Sequence, residues 1–329
     1  MTLPASPPPV SVPHPPHPGT TLQAAIALGV AIFCIAAASI LIIYAQTDLG
    51  ANAITFNRLG LAAIACVLYG GSQGFREDTS EIWPLPSLGW GEMGLLGLAG
   101  ITFAGSLSVW NWSMTQTSVA NATLLENCLP IFTTLGGWLF LRQRFSRQFL
   151  AGMGLAILGV IAIGLGDLQL VGDQQWGDGA AMLSALLAAI SLLSVEQLRH
   201  KLSTLWIMLG TSLVGTLFAF GVMCLTESQW FPQHPPAILA VISLALISHC
   251  LGQGLLTFSL SHFTSAFVSV ILLIVPAIAA ILAWMLFGEA LSIPNLLAFT
   301  VVLVGIYGAI QAPSVSSNLP NSMIKKEIS

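Results

Sequence analysis

The chain has 329 residues, of which 55% are hydrophobic and only 7% are charged, and its formal net charge is −4. A soluble protein carries about 25% charged residues, so this composition excludes a water-facing globular surface and predicts an all-α, polytopic membrane protein. No long basic tract points to a nucleic-acid partner.

The first 20 residues are rich in proline and include His14 and His17. They lack the basic n-region of a signal peptide, and the apolar segment that follows is too long for an h-region. We interpret residues 1–20 as an extended, disordered cytoplasmic tail, with metal binding by the two histidines as the weaker alternative. Residues 312–329 are also polar, and we interpret them as a cytoplasmic C-terminal tail.

Ten apolar segments between the tails approach the length of about 20 residues that a helix needs to cross a bilayer. The short connections predict that consecutive segments run antiparallel. In chain order the segments are Leu22–Tyr44, Ala53–Gly71, Gly91–Met114, Ser118–Leu141, Gln148–Leu165, Gly179–Leu198, Leu205–Leu225, Ile238–Leu260, Thr264–Phe287 and Ser292–Ile310.

Lysine and arginine predict the orientation of these spans, because cytoplasmic loops carry an excess of both. Of the nine basic residues, only Arg58 lies inside a span. The other eight all fall on one side of a ten-span chain, which places both termini in the cytoplasm. They are Arg76, Arg142, Arg144, Arg147, Arg199, Lys201, Lys325 and Lys326.

The sequence repeats itself at a shift of 146 residues. Each unit holds five spans, an odd number, so the second unit is inserted upside down; the loop RQRFSRQ accordingly becomes GEALSIPN and loses its arginines. We predict two inverted five-helix repeats, residues 21–166 and 177–311, an architecture typical of secondary transporters that bind substrate near the midplane. The matched pairs include Ala120 and Ala266, Pro130 and Pro276, Trp138 and Trp284, and Gly159 and Gly305.

Two sequence stretches, FGEALSIPNLLAFTVVLVGIYGAI and NAITFNRLGLAAI, together with the ten spans and the repeat, resemble the EamA-type branch of the drug/metabolite transporter superfamily from Leu22 to Ile310. The resemblance implies an inner-membrane carrier that exports small metabolites or amino acids by alternating access, often coupled to protons. One departure is Gln143, which stands where the family usually has a loop glutamate, whereas Glu289 is kept. If the two glutamates are paired gate elements, this chain has only one.

Glu126 is the main candidate for chemistry, because a carboxylate inside the fourth span costs roughly +2.5 to +3.5 kcal/mol and usually faces a cavity. Pro130 has no backbone N–H that could donate a hydrogen bond to the carbonyl of Glu126. The side-chain carboxyl group and an unpaired backbone carbonyl therefore belong to the same residue. Helical periodicity places Thr123, Asn127 and Thr134 on the same face. We expect Glu126 to bind a proton or a cationic substrate group; the alternative is a protonated structural residue, hydrogen-bonded to Asn127 or to a neighbouring helix. The second repeat keeps the proline as Pro276 but has no such carboxylate.

Polar side chains on other spans are candidates to complete the site. In the third span Asn111 follows Trp110, whose indole could stack on a substrate or simply pack. In the eighth span His249 and Gln253 are four residues apart, and the histidine is either a proton relay or a hydrogen-bonded core residue. Arg58 either attracts an anionic group, pairs with Glu126, or extends to the outer headgroups.

Other residues are interpreted structurally. Glu196 is expected to be a surface partner of the nearby Arg199 and Lys201, and the glycines of the fifth and tenth spans are expected to permit close helix packing. The five cysteines, which form no CxxC pair, are expected to be buried apolar residues rather than disulfides or metal ligands. They are Cys34, Cys66, Cys128, Cys224 and Cys250.

The leading hypothesis is a secondary active transporter of the inner or plasma membrane, without a cofactor. Its expected partners are a small-molecule substrate, protons and the lipid bilayer, and a homodimer is left open. The sequence has neither the GxxxxGK[ST] motif of an ATPase nor the HExxH motif of a zinc protease. An intramembrane enzyme or a non-transporting sensor or assembly factor are the alternatives.

The orientation is directly testable by reporter fusion. We expect a topology reporter fused after Asp173 to read external and one fused at Arg144 to read internal, because positive charge marks the cytoplasmic loops. Alkaline phosphatase and fluorescent-protein fusions give complementary signals for the two sides. The reverse pattern would contradict the predicted orientation.

Overall fold

The computed structural model describes residues 18–74, 88–117, 122, 125–164, 175–287 and 293–312, which contain helices and turns and no strand. The helices are α1 (Pro18–Ala45), α2 (Ala51–Gly74), α3 (Trp90–Gln116), α4 (Leu129–Phe140), α5 (Arg147–Gly164), α6 (Gln175–Leu198), α7 (Thr204–Thr226), α8 (Pro235–Ser243), a π-helix (Leu244–Gln253) that continues into α9 (Gly254–Ser259), α10 (Ser265–Leu272), α11 (Val275–Phe287) and α12 (Ile293–Ile310).

Seven helical stretches of the described chain are long and apolar enough to cross a bilayer. Three shorter apolar helices, Leu129–Phe140, Arg147–Ala162 and Leu296–Ile310, occupy the positions of the fourth, fifth and tenth predicted spans. The apolar segments therefore form helices as expected, and the count of ten spans stays a prediction. The seven are Thr21–Ala45, Ala51–Ser72, Trp90–Gln116, Gln175–Leu198, Thr204–Thr226, Pro235–Ser259 and Ser265–Leu286.

The helix packing is consistent with two structural repeats. Helix α3 packs on α6 and α7, and its counterpart, the α8–α9 segment with its π-helix, packs on α1 and α2. Helix α4 packs on α6, as its counterpart α11 packs on α1. Two further pairs, α2 with α7 and α5 with α12, join equivalent elements of the two halves. Exchanging the halves thus preserves these contacts.

The fourth and ninth segments are interrupted at equivalent places. A turn at Asn127 and Cys128 precedes α4, whose second residue is Pro130, and a turn at Leu273 and Ile274 precedes α11, whose second residue is Pro276. Proline is tolerated there because the first turn of a helix needs no N–H donor. The continuous helical face expected around Glu126 is therefore broken by the turn that begins at Asn127.

Small residues allow α5 and α12 to approach closely. A Cβ atom added at Gly152 would overlap the backbone of Ala309, and one added at Gly305 would overlap the backbone of Ala156. Gly154, on another face of α5, has no such neighbour. The interpretation of glycine as a packing residue is confirmed at Gly152 and Gly305 and is wrong at Gly154. Apolar contact elsewhere is concentrated in a core that α1, α3, α6, α7, α9 and α10 share.

Glu196 is not a surface partner of Arg199 and Lys201, contrary to the expectation from sequence. Its side chain is buried near the end of α6 and accepts a hydrogen bond of 2.7 Å from the Gln143 amide. Its other oxygen accepts a hydrogen bond of 2.7 Å from the backbone N–H of Ser265, the first residue of α10. The same oxygen accepts a second hydrogen bond from the Ser265 hydroxyl. The carboxylate therefore caps α10 and links it to the loop after α4.

The two basic neighbours of Glu196 bind elsewhere. Arg199 donates a hydrogen bond of 2.7 Å to the carbonyl of Leu202. Lys201 pairs with Glu92 at the start of α3. The proximity of acid and base along the chain was thus misleading, because Glu196 lies on α6 whereas Arg199 and Lys201 lie in the turn that follows it.

Carboxylates also cap helices at the opposite end of the bundle. Asp48, between α1 and α2, accepts bonds from the backbone N–H groups of Gln233 and His234, just before α8. The hydrogen bond from the His234 backbone, and next the one from the Gln233 backbone, hold the pKa of Asp48 well below its usual range. This carboxyl therefore stays ionised near neutral pH. Glu227 accepts a hydrogen bond of 3.1 Å from the backbone N–H of Asn52, at the start of α2.

Replacing Gln143 with glutamate tests the buried Glu196 contact. Gln143→Glu would set two carboxylates against each other and remove a hydrogen bond to a charged group, so we expect unfolding stability at pH 8 to fall by about 1.5–3 kcal/mol. Thermal unfolding of the purified protein in detergent measures the change. The double variant Gln143→Glu/Glu196→Gln restores an acid–amide pair and should recover the stability. Equal stability of wild type and Gln143→Glu would contradict the contact.

Candidate functional site

Arg58 is buried in the bundle rather than extended toward the headgroups. Its side chain, on the second turn of α2, is only 8% exposed. Nη2 donates a hydrogen bond of 3.2 Å to the hydroxyl of Ser248, whereas Nε has no partner. No carboxylate of the described residues forms an ion pair with it, and it is not paired with Glu126. A buried cation without a counter-ion is costly, which marks this position as a candidate site for an anionic group.

His249 lies on the π-helix, next in the chain to Ser248, the hydrogen-bond partner of Arg58. Its Nε2 is 3.1 Å from the hydroxyl of Ser212 on α7, its Nδ1 has no partner, and its ring lies 5.6 Å from that of Phe103 between centroids. It is therefore a hydrogen-bonded core histidine with one free ring nitrogen. Ser248 and His249 bond to different helices, so they do not form a catalytic dyad.

The π-helix changes the side-chain register that the sequence predicts for this segment. An α-helical spacing of four residues would place His249 and Gln253 on one face, but both belong to the π-helix, whose turns are wider. Gln253 is half-buried at its last position, and Gly254 begins α9. Short π-helical turns occur frequently at functional sites.

Arg58, Trp110 and Asn111 share one small cavity between α2, α3 and the end of α1. Its volume is about 30 Å³, which is enough for a water molecule or two. Thr55 and Gln46 also line it, and the remaining lining is aliphatic. Sequence patterns indicated Arg58, Trp110 and Asn111 on separate grounds, and the fold brings these three residues together.

Two hydrogen-bond donors of the residues at this cavity have no partner. The indole N–H of Trp110 and Nε of Arg58 are both buried without a hydrogen-bond partner. A buried donor without a hydrogen-bond partner costs about 1–3 kcal/mol of stability. Two such donors at one cavity therefore indicate a place where a ligand could accept hydrogen bonds. Their chemistry suits a ligand with hydrogen-bond acceptors, such as a carboxylate or a carbonyl.

Glu126 lies in a different environment. It is helical, half-buried and directly before the turn at Asn127, and no hydrogen bond or ion pair to it occurs within the described ranges. Pro130 is buried two residues beyond that turn. Thr123, expected on the same face, lies outside the described residues. On the following turn Thr133 bonds to the Ser269 hydroxyl at 2.7 Å and joins α4 to α10.

Several contact residues were not anticipated from the sequence. Ser212 and Ser248 hold His249 and Arg58, and Thr55 and Gln46 line the cavity. Ser248 had a weak signal, because it precedes a membrane-embedded histidine. Gln46 had no such signal. Ser212 and Thr55 had none either, because isolated serines and threonines in apolar helices usually form hydrogen bonds with their own backbone.

The chain is similar to a transporter family and to two named bacterial proteins. The sequence model of the EamA-like transporter family matches residues 22–165 and 175–311. A protein of Streptantibioticus cattleyicolor named "Probable terminal-alkyne amino-acid exporter" is 22% identical over 262 residues, which cover 79% of this chain and 82% of that protein. Protein PagO of Salmonella typhimurium is 25% identical over 223 residues, covering 65% and 69% of the two chains.

A solved crystal structure shares the fold. Its TM-score is 0.74, and the alignment covers 88% of this chain and 96% of the other. The sequence identity is 15%, so the likeness concerns the fold alone.

The role of Arg58 can be separated from fold stability. The double variant Arg58→Met/Ser248→Ala removes the buried charge and its hydroxyl partner together, so we expect it to be at least as stable as the wild type. Thermal unfolding in detergent measures this. A loss of about 3–5 kcal/mol would instead show that Arg58 is a structural element of the bundle.

Proposed function

The chain belongs to the EamA-like transporter family, and on that basis we propose that it is a secondary active transporter that exports small metabolites, amino acids or drug-like compounds by alternating access with proton coupling. In this proposal it works in the inner or plasma membrane with both termini in the cytoplasm. Its ten spans form two inverted five-helix repeats.

The observation that carries the proposal is the small cavity shared by Arg58, Trp110 and Asn111. It brings a cation, an indole N–H without a partner and an amide to the same small volume. These groups would bind the carboxylate or another acceptor of a solute. An amino acid is one such solute, which agrees with the name of the Streptantibioticus relative.

Alternating access in this fold requires contacts between the halves that can be made and broken. The bond from Arg58 to Ser248 joins α2 of the first half to the π-helix of the second. Carboxylate caps also connect the halves at both ends of the bundle, through Asp48 and Glu227 at one end and Glu196 at the other. We infer that a substrate acceptor competes with Ser248 for Arg58 and so loosens the central contact.

Glu126 is the proposed coupling residue. Its carboxyl lies at the helix interruption before Pro130, where Asn127 and Cys128 form a turn. Of the described residues, none occupies it by a hydrogen bond or ion pair, so it is available to bind a proton or the cationic group of a substrate. His249 has a free ring nitrogen, but it lies on another helix and makes no hydrogen bond to Glu126.

Glu126→Gln tests the coupling. The variant keeps the size of the side chain but cannot ionise, so we expect proton-driven flux to be lost while folding and insertion are unchanged. Flux into liposomes at two imposed pH gradients, with matched protein amounts, measures the effect. Flux that stays pH-dependent in the variant would remove Glu126 from this role. The matched carboxyl control is Glu92→Gln, at the start of α3.

Export itself is tested by comparing the media of cells that express wild type, Glu126→Gln or Arg58→Gln at matched levels. A compound enriched only by the wild type would identify the substrate class and support the transporter assignment. That compound is then tested with purified protein in liposomes. Absence of flux there would favour a non-transporting sensor or an assembly factor.

A further inference from the structure

A lipid-facing groove lies between α4 and α5. The two helices are consecutive in the chain but are not among the closely packed pairs of the bundle, and the space between them has a volume of about 640 Å³. The α4 side is formed by one helical face with i, i+3, i+4, i+7 spacing, about 10 Å long. Its residues are Ile131, Thr134, Leu135 and Trp138.

This groove is apolar and accessible. Leu135 is 48% exposed and Trp138 is 59% exposed, and Leu150 contributes from the α5 side. In a membrane-spanning chain such a surface contacts acyl chains. Tryptophan prefers the boundary between hydrocarbon and headgroups, where its ring is partly wet.

Arg144 lines the end of the groove at the loop between the two helices. The residues on either side of it are fixed, since Gln143 is buried against Glu196 and the ring of Phe145 stacks on Phe149 at 5.2 Å between centroids. Arg142 has a φ of 52°, which reverses the chain after α4. The loop thus holds Arg144 outside the protein core and at the groove.

The charge of this loop is not neutralised by the part of the protein that the structure describes. Arg142, Arg144 and Arg147 are all exposed, and none is in an ion pair with a described residue. The excess of basic residues in a cytoplasmic loop follows from membrane insertion. Insertion alone does not explain why one of these arginines is anchored at the end of an apolar groove.

We propose that the groove between α4 and α5 binds an anionic phospholipid of the cytoplasmic leaflet. One acyl chain lies along Ile131, Leu135 and Trp138, and the phosphate contacts Arg144. An apolar strip with a cation at one end is complementary to a molecule with a long hydrocarbon chain and a negative head. The site is separate from the proposed transport cavity and requires only that the loop faces the cytoplasm.

The internal repeat provides a comparison within the same chain. At the shift of 146 residues, Trp138 corresponds to Trp284, so the indole is kept. Arg144 corresponds to Ala290, so the cation is not. The predicted location of the second copy is the opposite leaflet. The charge therefore accompanies only the copy on the cytoplasmic side, where anionic lipid is concentrated.

Native mass spectrometry of the full-length protein tests the site. The purified protein is incubated with phosphatidylglycerol or with phosphatidylcholine of the same acyl chains, and the retained lipid is counted. We expect a preference for phosphatidylglycerol. Arg144→Gln should weaken phosphatidylglycerol binding about fivefold, since one arginine near the surface contributes about 1 kcal/mol. Arg144→Lys should keep most of the preference.

Two variants separate this site from general surface charge. Arg147→Gln removes a charge from the same loop without changing the groove lining, so it should leave the preference intact. Leu135→Trp fills the groove without changing any charge, so it should reduce phosphatidylglycerol retention. Both positions are exposed, and unchanged elution and unfolding temperature will verify the fold.

Three results would overturn the proposal. Equal retention of the two lipids would show that the groove does not recognise charge. Equal losses in Arg144→Gln and Arg147→Gln would show a diffuse electrostatic effect. A dimer that dissociates in Leu135→Trp and retains no lipid would show that a second copy of the chain covers the groove.

Discussion

A polar group removed from water inside a bilayer must find its partners within the protein, and this constraint organises the bundle. Glu196 shows it most clearly, because its two oxygens accept from the Gln143 amide and from the backbone and hydroxyl of Ser265. Asp48 and Glu227 satisfy backbone N–H groups of helices in the opposite half. The same carboxylates therefore complete helix ends and connect the two repeats. Apolar packing sets how close the helices lie, while these caps determine which ends meet.

The features that depend on neighbouring residues were predictable from the sequence. Apolar length predicted the helical segments, and Pro130 and Pro276 lie where helices restart. Contacts between distant residues were not predictable. Glu196 has two bases within five residues along the chain, yet its partners lie 53 and 69 residues away. The π-helix also gave no local signal, and it changes the direction of the side chains that follow it.

The candidate site shows the same limit. Periodicity on one helix identifies which residues share a face, but it does not identify the neighbouring helix. Arg58 on α2 and Trp110 and Asn111 on α3 meet because these helices are adjacent in the fold. Glu126 was singled out by the cost of a carboxyl in lipid, and it lies apart from that cavity's lining. The charges named from sequence thus belong to two environments, one around a buried cation and one at a helix interruption.

The contact of Arg58 with Ser248 joins the two halves through a single hydrogen bond. A hydrogen bond to a charged group contributes about 1.5–3 kcal/mol, so by itself it is broken in roughly one molecule in ten to one in a hundred at any moment. The caps at Glu196 and Asp48 each involve several donors and open far more rarely. Thermal motion therefore breaks the Arg58–Ser248 bond more often than it opens either cap.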